Sequence, residues 1–179
     1  IMIGYGTGQF ALPDALAIGN THSSITCVDF NGDAIPDLVT TSLNNILLLI
    51  GTGNGSFGSP LTFPAGTGPS AIISNDFNGD GKIDIATVNS PTDDVSILLG
   101  NGLGSFGSAN SFPAGSIPQS ITSDDFNGDS IVDLAVANTN SINMSVLTGD
   151  GAGNFSLPQN FVTDSFPNSI TSADFNSDG

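Results

Sequence analysis

The chain has 179 residues, with 17 acidic side chains, all of them Asp, one Lys and no Arg, for a formal net charge of −16. Acidity of that order, with almost no cations to offset it, excludes nucleic acid and anionic membrane surfaces as partners, because both would be repelled. Hydrophobic residues make up 38%, with 12 Phe among them, which is enough to build a packed core and argues against disorder.

Read from the N-terminus, the chain opens with a glycine-rich stretch, "GYGTGQF" at 4–10. The single histidine, His22, follows in a turn-like "GNTHSS" and reads as a surface residue. The single cysteine, Cys27, lies in an apolar stretch and is expected as a small core residue, with no internal disulfide available to it. Next comes "DFNGDAIPD" (29–37), then "ILLLI" (46–50), the longest apolar run. That run suits a strand and falls far short of the roughly 20 residues of a membrane span. No signal-peptide pattern is recognisable.

From there the landmarks return. The Asp-Phe-Asn motif stands at Asp29, Asp76, Asp125 and Asp174, at spacings of 47, 49 and 49 residues. The glycine stretch keeps the same step as "GTGNGSF" (51–57), "GNGLGSF" (100–106) and "GDGAGNF" (149–155). A third landmark is "TFPAG" (62–66), "SFPAG" (111–115) and the weaker "NFVTD" (160–164). Landmarks held in one register define a repeat, and periods of this length belong to solenoids, propellers or arrays. The units run 29–75, 76–124 and 125–173, with a partial one at 1–28 and the start of another at 174–179.

Within a unit, "SITSDDF" (120–126), "IVDLAVAN" (131–138), "DVSILLG" (94–100) and "SANSFPAG" (108–115) are short, often β-branched runs bounded by Gly, Asn, Asp and Pro. These are strand signals, and no segment sustains a helical period. Four short strands per unit fit a propeller blade. The fold class is therefore all-β, in tandem four-stranded β-propeller-type blades.

Two readings compete for the glycine stretch. A phosphate-binding turn needs a following helix whose N-terminus would hold the phosphate, and none is signalled. A tight turn between strands needs only glycine's freedom at positive φ. The Phe that closes the stretch is then expected to plug the interface between neighbouring sheets.

The acidic loops carry the chemistry. In "DFNGDGKID" (76–84), Asp76, Asn78, Asp80 and Asp84 occupy positions 1, 3, 5 and 9, with Lys82 at position 7 supplying a carbonyl oxygen while its side chain points to solvent. The first copy has Asp29, Asn31, Asp33, Ile35 and Asp37, and the third Asp125, Asn127, Asp129, Ile131 and Asp133. A fourth begins with Asp174, Asn176 and Asp178. Calcium takes six to eight hard oxygen ligands, and ligands at alternating positions let a loop wrap around it. Three carboxylates about 5 Å apart without a cation repel by roughly 3 kcal/mol per pair at an effective dielectric near 20. Position 6 is Gly81 and Gly179 in two copies but Ala34 and Ser130 in the others. If it needs positive φ, those two loops carry strain. The competing reading is a set of solvated Asp/Asn turns. Soft metals are disfavoured by the lone His and lone Cys.

The acidic loops, followed by "VSILLGNGLGSFG" and "FPAG", resemble FG-GAP/VCBS repeats, the blades of integrin-α-like β-propellers, over essentially the whole chain. The resemblance implies about one Ca2+ per complete loop, placed between the first two strands of a blade, and an extracellular setting. Family propellers close with about seven blades, whereas about 3.7 units are present here. The chain is accordingly expected to be a segment of a longer one, half of a propeller completed by a partner, or part of an open, fibre-like array.

The uniform repeats point to a non-enzymatic, calcium-stabilised extracellular scaffold of adhesion, surface-layer or filament type, with a protein or glycan surface ligand and self-association. The alternative is a carbohydrate-binding lectin, although the chain has no Trp and only one Tyr, Tyr5, for a sugar platform. An enzyme is disfavoured because the paired Asp residues are accounted for by calcium, and Asp93–Asp94 reads as a solvated turn. Sequons at Asn54, Asn143 and Asn154 would allow glycosylation of a secreted protein.

Overall fold

The computed structural model describes residues 18–19 and 21–175. The first glycine stretch, at 4–10, therefore lies outside the described residues, as do Asn176, Asp178 and Gly179.

Twelve strands form three four-stranded antiparallel sheets in tandem, each a simple meander. Sheet 1 holds β1 (Ile25–Val28), β2 (Asp37–Ser42), β3 (Asn45–Leu49) and β4 (Leu61–Pro64). Sheet 2 holds β5 (Pro69–Asn75), β6 (Asp84–Asn89), β7 (Asp94–Leu98) and β8 (Asn110–Pro113). Sheet 3 holds β9 (Pro118–Asp124), β10 (Asp133–Asn138), β11 (Asn143–Leu147) and β12 (Gln159–Val162). No helix occurs among the described residues. These are propeller-type blades, and among the described residues they do not close into a ring.

Sheets stack face to face, and the core divides into one cluster per seam. Between sheets 1 and 2, Phe30, Val39, Ile46 and Leu48 meet Ile72, Ile85 and Leu98. Between sheets 2 and 3, Phe77, Val88, Val95 and Ile97 meet Ile121, Leu134 and Leu147. The period-2 alternation of a strand sends Ile85 and Leu98 one way and Ala86 and Ile97 the other. Sheet 2 is thus covered on both faces, and every residue of β6 is buried. With both faces covered, β7 likewise buries every residue from Val95 to Leu98 rather than alternating.

In two of the glycine turns the Phe fills a seam, as expected. Phe106, between β7 and β8, meets Phe30 and Phe63 of sheet 1 edge-on, with ring centroids 5.6 and 5.2 Å apart. Phe155 meets Phe77 and Phe112 of sheet 2 at 6.0 and 5.6 Å. Edge-to-face geometry puts the positive ring edge against the negative face, worth about 0.5–1.5 kcal/mol per pair beyond burial. The inner strands β1, β5 and β9 are joined by side-chain hydrogen bonds, Thr26 to Ser74 at 3.0 Å and Asn75 to Ser123 at 3.1 Å.

Two expectations are corrected. Cys27 is exposed on β1, because β1 is an edge strand with no described sheet on its outer side. His22 is not a free surface residue: its half-buried ring reaches the carbonyl oxygens of Thr41, at 2.6 Å, and Ile18, at 3.2 Å, and so ties the segment before β1 to β2.

Candidate metal centre

Each acidic loop joins the first two strands of a sheet: 29–36 links β1 to β2, 76–83 links β5 to β6, and 125–132 links β9 to β10. The first Asp organises the loop by accepting the backbone N–H groups that follow it. Asp29 Oδ1 takes those of Asn31, Gly32 and Asp33, and Oδ2 takes that of Ala34 at 2.7 Å. Asp76 repeats this with Gly79, Asp80 and Gly81, and Asp125 with Asn127, Gly128, Asp129 and Ser130. Positions 3 and 5 add Asx turns: Asn78 Oδ1 accepts the N–H of Asp80, and Asp80 Oδ1 that of Lys82.

The sixth position is left-handed in all three loops, with φ of 63° at Ala34, 78° at Gly81 and 67° at Ser130. Ala34 and Ser130 therefore hold a conformation that costs an L side chain about 1–2 kcal/mol.

The ninth position behaves differently. Asp37, Asp84 and Asp133 are fully buried at the start of β2, β6 and β10. Asp84 Oδ2 accepts the N–H of Phe77 at 2.9 Å, and its Oδ1 accepts that of Gly100 at 2.7 Å. Asp37 binds Phe30 and Gly51, and Asp133 binds Phe126 and Gly149, in the same way. This Asp staples its acidic loop to the glycine turn of the same sheet. The turn must be glycine there: a Cβ on Gly100 would lie 2.1 Å from the carbonyl oxygen of Ile83. The staple is what sequence reading missed, although the recurrence of the Asp with a Gly 14 or 16 residues later was its signal.

The loop also reaches the next sheet. Gly104 of the sheet 2 turn donates its N–H to the carbonyl oxygen of Phe30 at 3.1 Å. The acidic loops of sheets 1 and 2 thus lie on the two described seams.

Electrostatics follow from these partners. Desolvation pushes the Asp29 carboxyl upward, but the N–H groups of Ala34, Gly32, Asn31 and Asp33 outweigh it and hold the carboxyl below its ordinary value. Asp125 is held low by the N–H of Ser130 first, and Asp80 by its hydrogen bond from Lys82. Burial pushes Asp84 upward, with the Asp80 and Asp76 charges adding to the rise and its two N–H donors opposing it. Lys82 is exposed, as expected, with its ammonium paired to Asp80 at 3.1 Å and its stem beside Gly102.

The donor set is suited to a hard cation. It is all oxygen, and each carboxylate offers about four lone-pair sites, so backbone bonding leaves acceptor capacity. Among the described residues, no three of His, Cys, Asp or Glu converge in a preformed cage. The carboxylates are held by the loop's own N–H groups rather than drawn onto one point. Of the fourth loop, only Asp174 lies among the described residues.

Stacked four-stranded meanders with an acidic loop at each seam define a β-propeller-type repeat protein. A model of the FG-GAP-like repeat matches residues 29–87, 76–136 and 125–179. The chain belongs to that family. No curated protein matches it. Among solved structures it is similar to an Agrocybe aegerita lectin described as recognising non-reducing terminal N-acetylglucosamine, with a TM-score of 0.63 at 21% identity over 93% of this chain and 47% of the lectin. It is also similar to a protein of unknown function from Desulfotomaculum acetoxidans DSM 771, with a TM-score of 0.69 at 19% identity over 94% of this chain and 51% of that one. The chain thus spans about half the length of each.

Proposed function

We propose that this chain is a calcium-stabilised, non-enzymatic repeat scaffold of an extracellular surface, serving structure or adhesion. The observation that carries the reading is the repeated placement of an all-oxygen acidic loop where two sheets and two glycine turns meet. In the first loop Asp29, Asn31, Asp33 and Asp37 with the Ile35 carbonyl would hold the ion. The sets from Asp76 and Asp125 would do the same in the second and third. Calcium supplies charge compensation at these points and no reaction chemistry. With a net charge of −16, neutralising clustered carboxylates removes self-repulsion that opposes the compact state. An extracellular setting follows from the affinity expected of exposed loops, which suits the 10⁻⁴–10⁻³ M range of extracellular calcium modules.

Thermal unfolding with millimolar calcium and with chelator tests the reading. A melting temperature raised by several degrees supports it, and coincident curves refute it. A second reading, glycan binding, is favoured by the likeness to the lectin. Glycan-array binding that survives chelation and loop substitution would support that reading over the scaffold.

A further inference from the structure

Five Asn–Gly pairs lie among the described residues: Asn31–Gly32, Asn54–Gly55, Asn78–Gly79, Asn101–Gly102 and Asn127–Gly128. Asparagine is among the thermolabile side chains, and a following glycine has no side chain to keep its nitrogen away from the amide. The five pairs are conformationally alike. Each glycine is left-handed, with φ between 71° and 82°. Each Asn Oδ1 accepts the N–H two residues on, at 2.8–3.0 Å.

They differ at the glycine nitrogen. In the acidic loops, Gly32, Gly79 and Gly128 donate their N–H groups to Asp29, Asp76 and Asp125, at 2.7, 2.8 and 2.7 Å. In the glycine turns, among the described residues, no acceptor holds the N–H of Gly55 or Gly102. Exposure does not sort the pairs in this way: Asn127 is exposed, as Asn54 and Asn101 are.

We propose that Asn101 and Asn54 are sites of spontaneous deamidation, and that the first Asp of each acidic loop shields Asn31, Asn78 and Asn127 from the same reaction. The Gly102 nitrogen gives its proton to solvent and bonds to Asn101 Cγ. The Cγ–Nδ2 bond then breaks, and Nδ2 takes a proton from water and leaves as ammonia. Water opens the resulting cyclic imide at either carbonyl, leaving aspartate or isoaspartate at position 101 with no change of oxidation state. Charge that develops on Asn101 Oδ1 is met by the N–H groups of Leu103 and Ser105, at 2.8 and 3.2 Å. At Asn54 the Thr52 hydroxyl and the Ser56 N–H do the same, at 2.6 and 3.0 Å. In the acidic loops the nitrogen faces a carboxylate instead. That carboxylate is too weak a base to take an amide proton, and its charge disfavours the nitrogen anion.

The aspartate product already has a place in the fold. Asp150 is the counterpart of Asn101 in the turn of sheet 3 and accepts the N–H groups of Ala152 and Asn154 at 2.8 and 3.1 Å. An aspartate at position 101 therefore keeps the turn and adds a carboxylate to the end of the sheets that bears the acidic loops.

Peptide mass mapping of the folded 179-residue chain, held over time at mildly alkaline pH in chelator, tests this. Without metal the outcome does not depend on the calcium reading. Asn101 and Asn54 should convert several-fold faster than Asn31, Asn78 and Asn127 in the same sample, and in urea all five rates should converge. Asp76→Ala frees the Gly79 N–H and should bring Asn78 up to the rate of Asn101. Asn31, unchanged in that variant, shows that it is folded. Asp76→Asn keeps an acceptor oxygen without the charge and should give Asn78 an intermediate rate. Asn127 converting as fast as Asn101, Asn101 as slow as the loop residues, or Asn78 indifferent to both substitutions overturns the proposal.

Discussion

Asp84 accepts the backbone N–H of Gly100 at 2.7 Å across 16 residues of chain, and so fixes the acidic loop of sheet 2 to the turn that carries Phe106. The same bond joins Asp37 to Gly51 and Asp133 to Gly149. The loop that would hold an ion is thereby coupled to the aromatic plug that closes the seam. Order in one favours order in the other.

Breaking the staple should be costly. Asp84→Ala leaves the buried N–H groups of Phe77 and Gly100 without acceptors, and each such group costs about 1–3 kcal/mol. A loss of roughly 2–5 kcal/mol is expected in calcium-free urea unfolding. Asp84→Asn should recover only part of it, because its amide NH2 faces an N–H donor. A loss below about 1 kcal/mol would show that the staple is dispensable.

Backbone shape gives a test of opposite sign. Ala34→Gly and Ser130→Gly relieve left-handed strain at φ of 63° and 67° and should each stabilise by about 0.5–1 kcal/mol. Gly100→Ala drives a Cβ into the Ile83 carbonyl and should destabilise by more than about 2 kcal/mol or prevent folding. Urea midpoints decide both, and Ala34→Gly should also tighten calcium binding in the first loop.

How much of this was legible in the sequence can be traced through particular residues. The strands, the four-strand unit and the plug were readable because Phe106 and Phe155 recur in register with the apolar runs. The loop at Asp76 was readable because its oxygens alternate within nine residues. Burial of Asp84 was not, since the motif alone does not show that its carboxylate also accepts two backbone N–H groups. Cys27 misled because an apolar neighbourhood predicts burial only when a sheet covers that side. The exposure of Lys82 was readable too, although its pairing with Asp80 two residues away was not.

Removing a plug should open one seam. Phe155→Ala deletes a buried ring that touches Phe77 and Phe112 and should cost about 3–5 kcal/mol. Hydrogen exchange should quicken at the seam between sheets 2 and 3 and leave β2 and β3 protected. Uniform loss of protection would mean that the sheets unfold only as one unit.

Acid should act through the loops. Asp29, Asp80, Asp125 and Asp150 have carboxyls held below the ordinary 3.8. Their stabilisation is complete above pH 3.8 and is lost as pH falls through the lower folded values. Asp84 works in the other direction: its folded value is raised, so its ionised form costs stability above that value, and the cost is relieved as pH falls toward 3.8. In chelator, the urea midpoint should drop steeply below pH 3.8, and Asp125→Asn should flatten that limb. An unchanged limb in Asp125→Asn would contradict the assignment.

Calcium titration calorimetry of the chain, freed of metal beforehand, tests the central claim most directly. Three complete loops, from Asp29, Asp76 and Asp125, predict about three sites in the submillimolar to millimolar range. Asp76→Ala should remove one of them. No saturable binding up to several times that concentration would contradict the account and leave the loops as turns held by their own backbone.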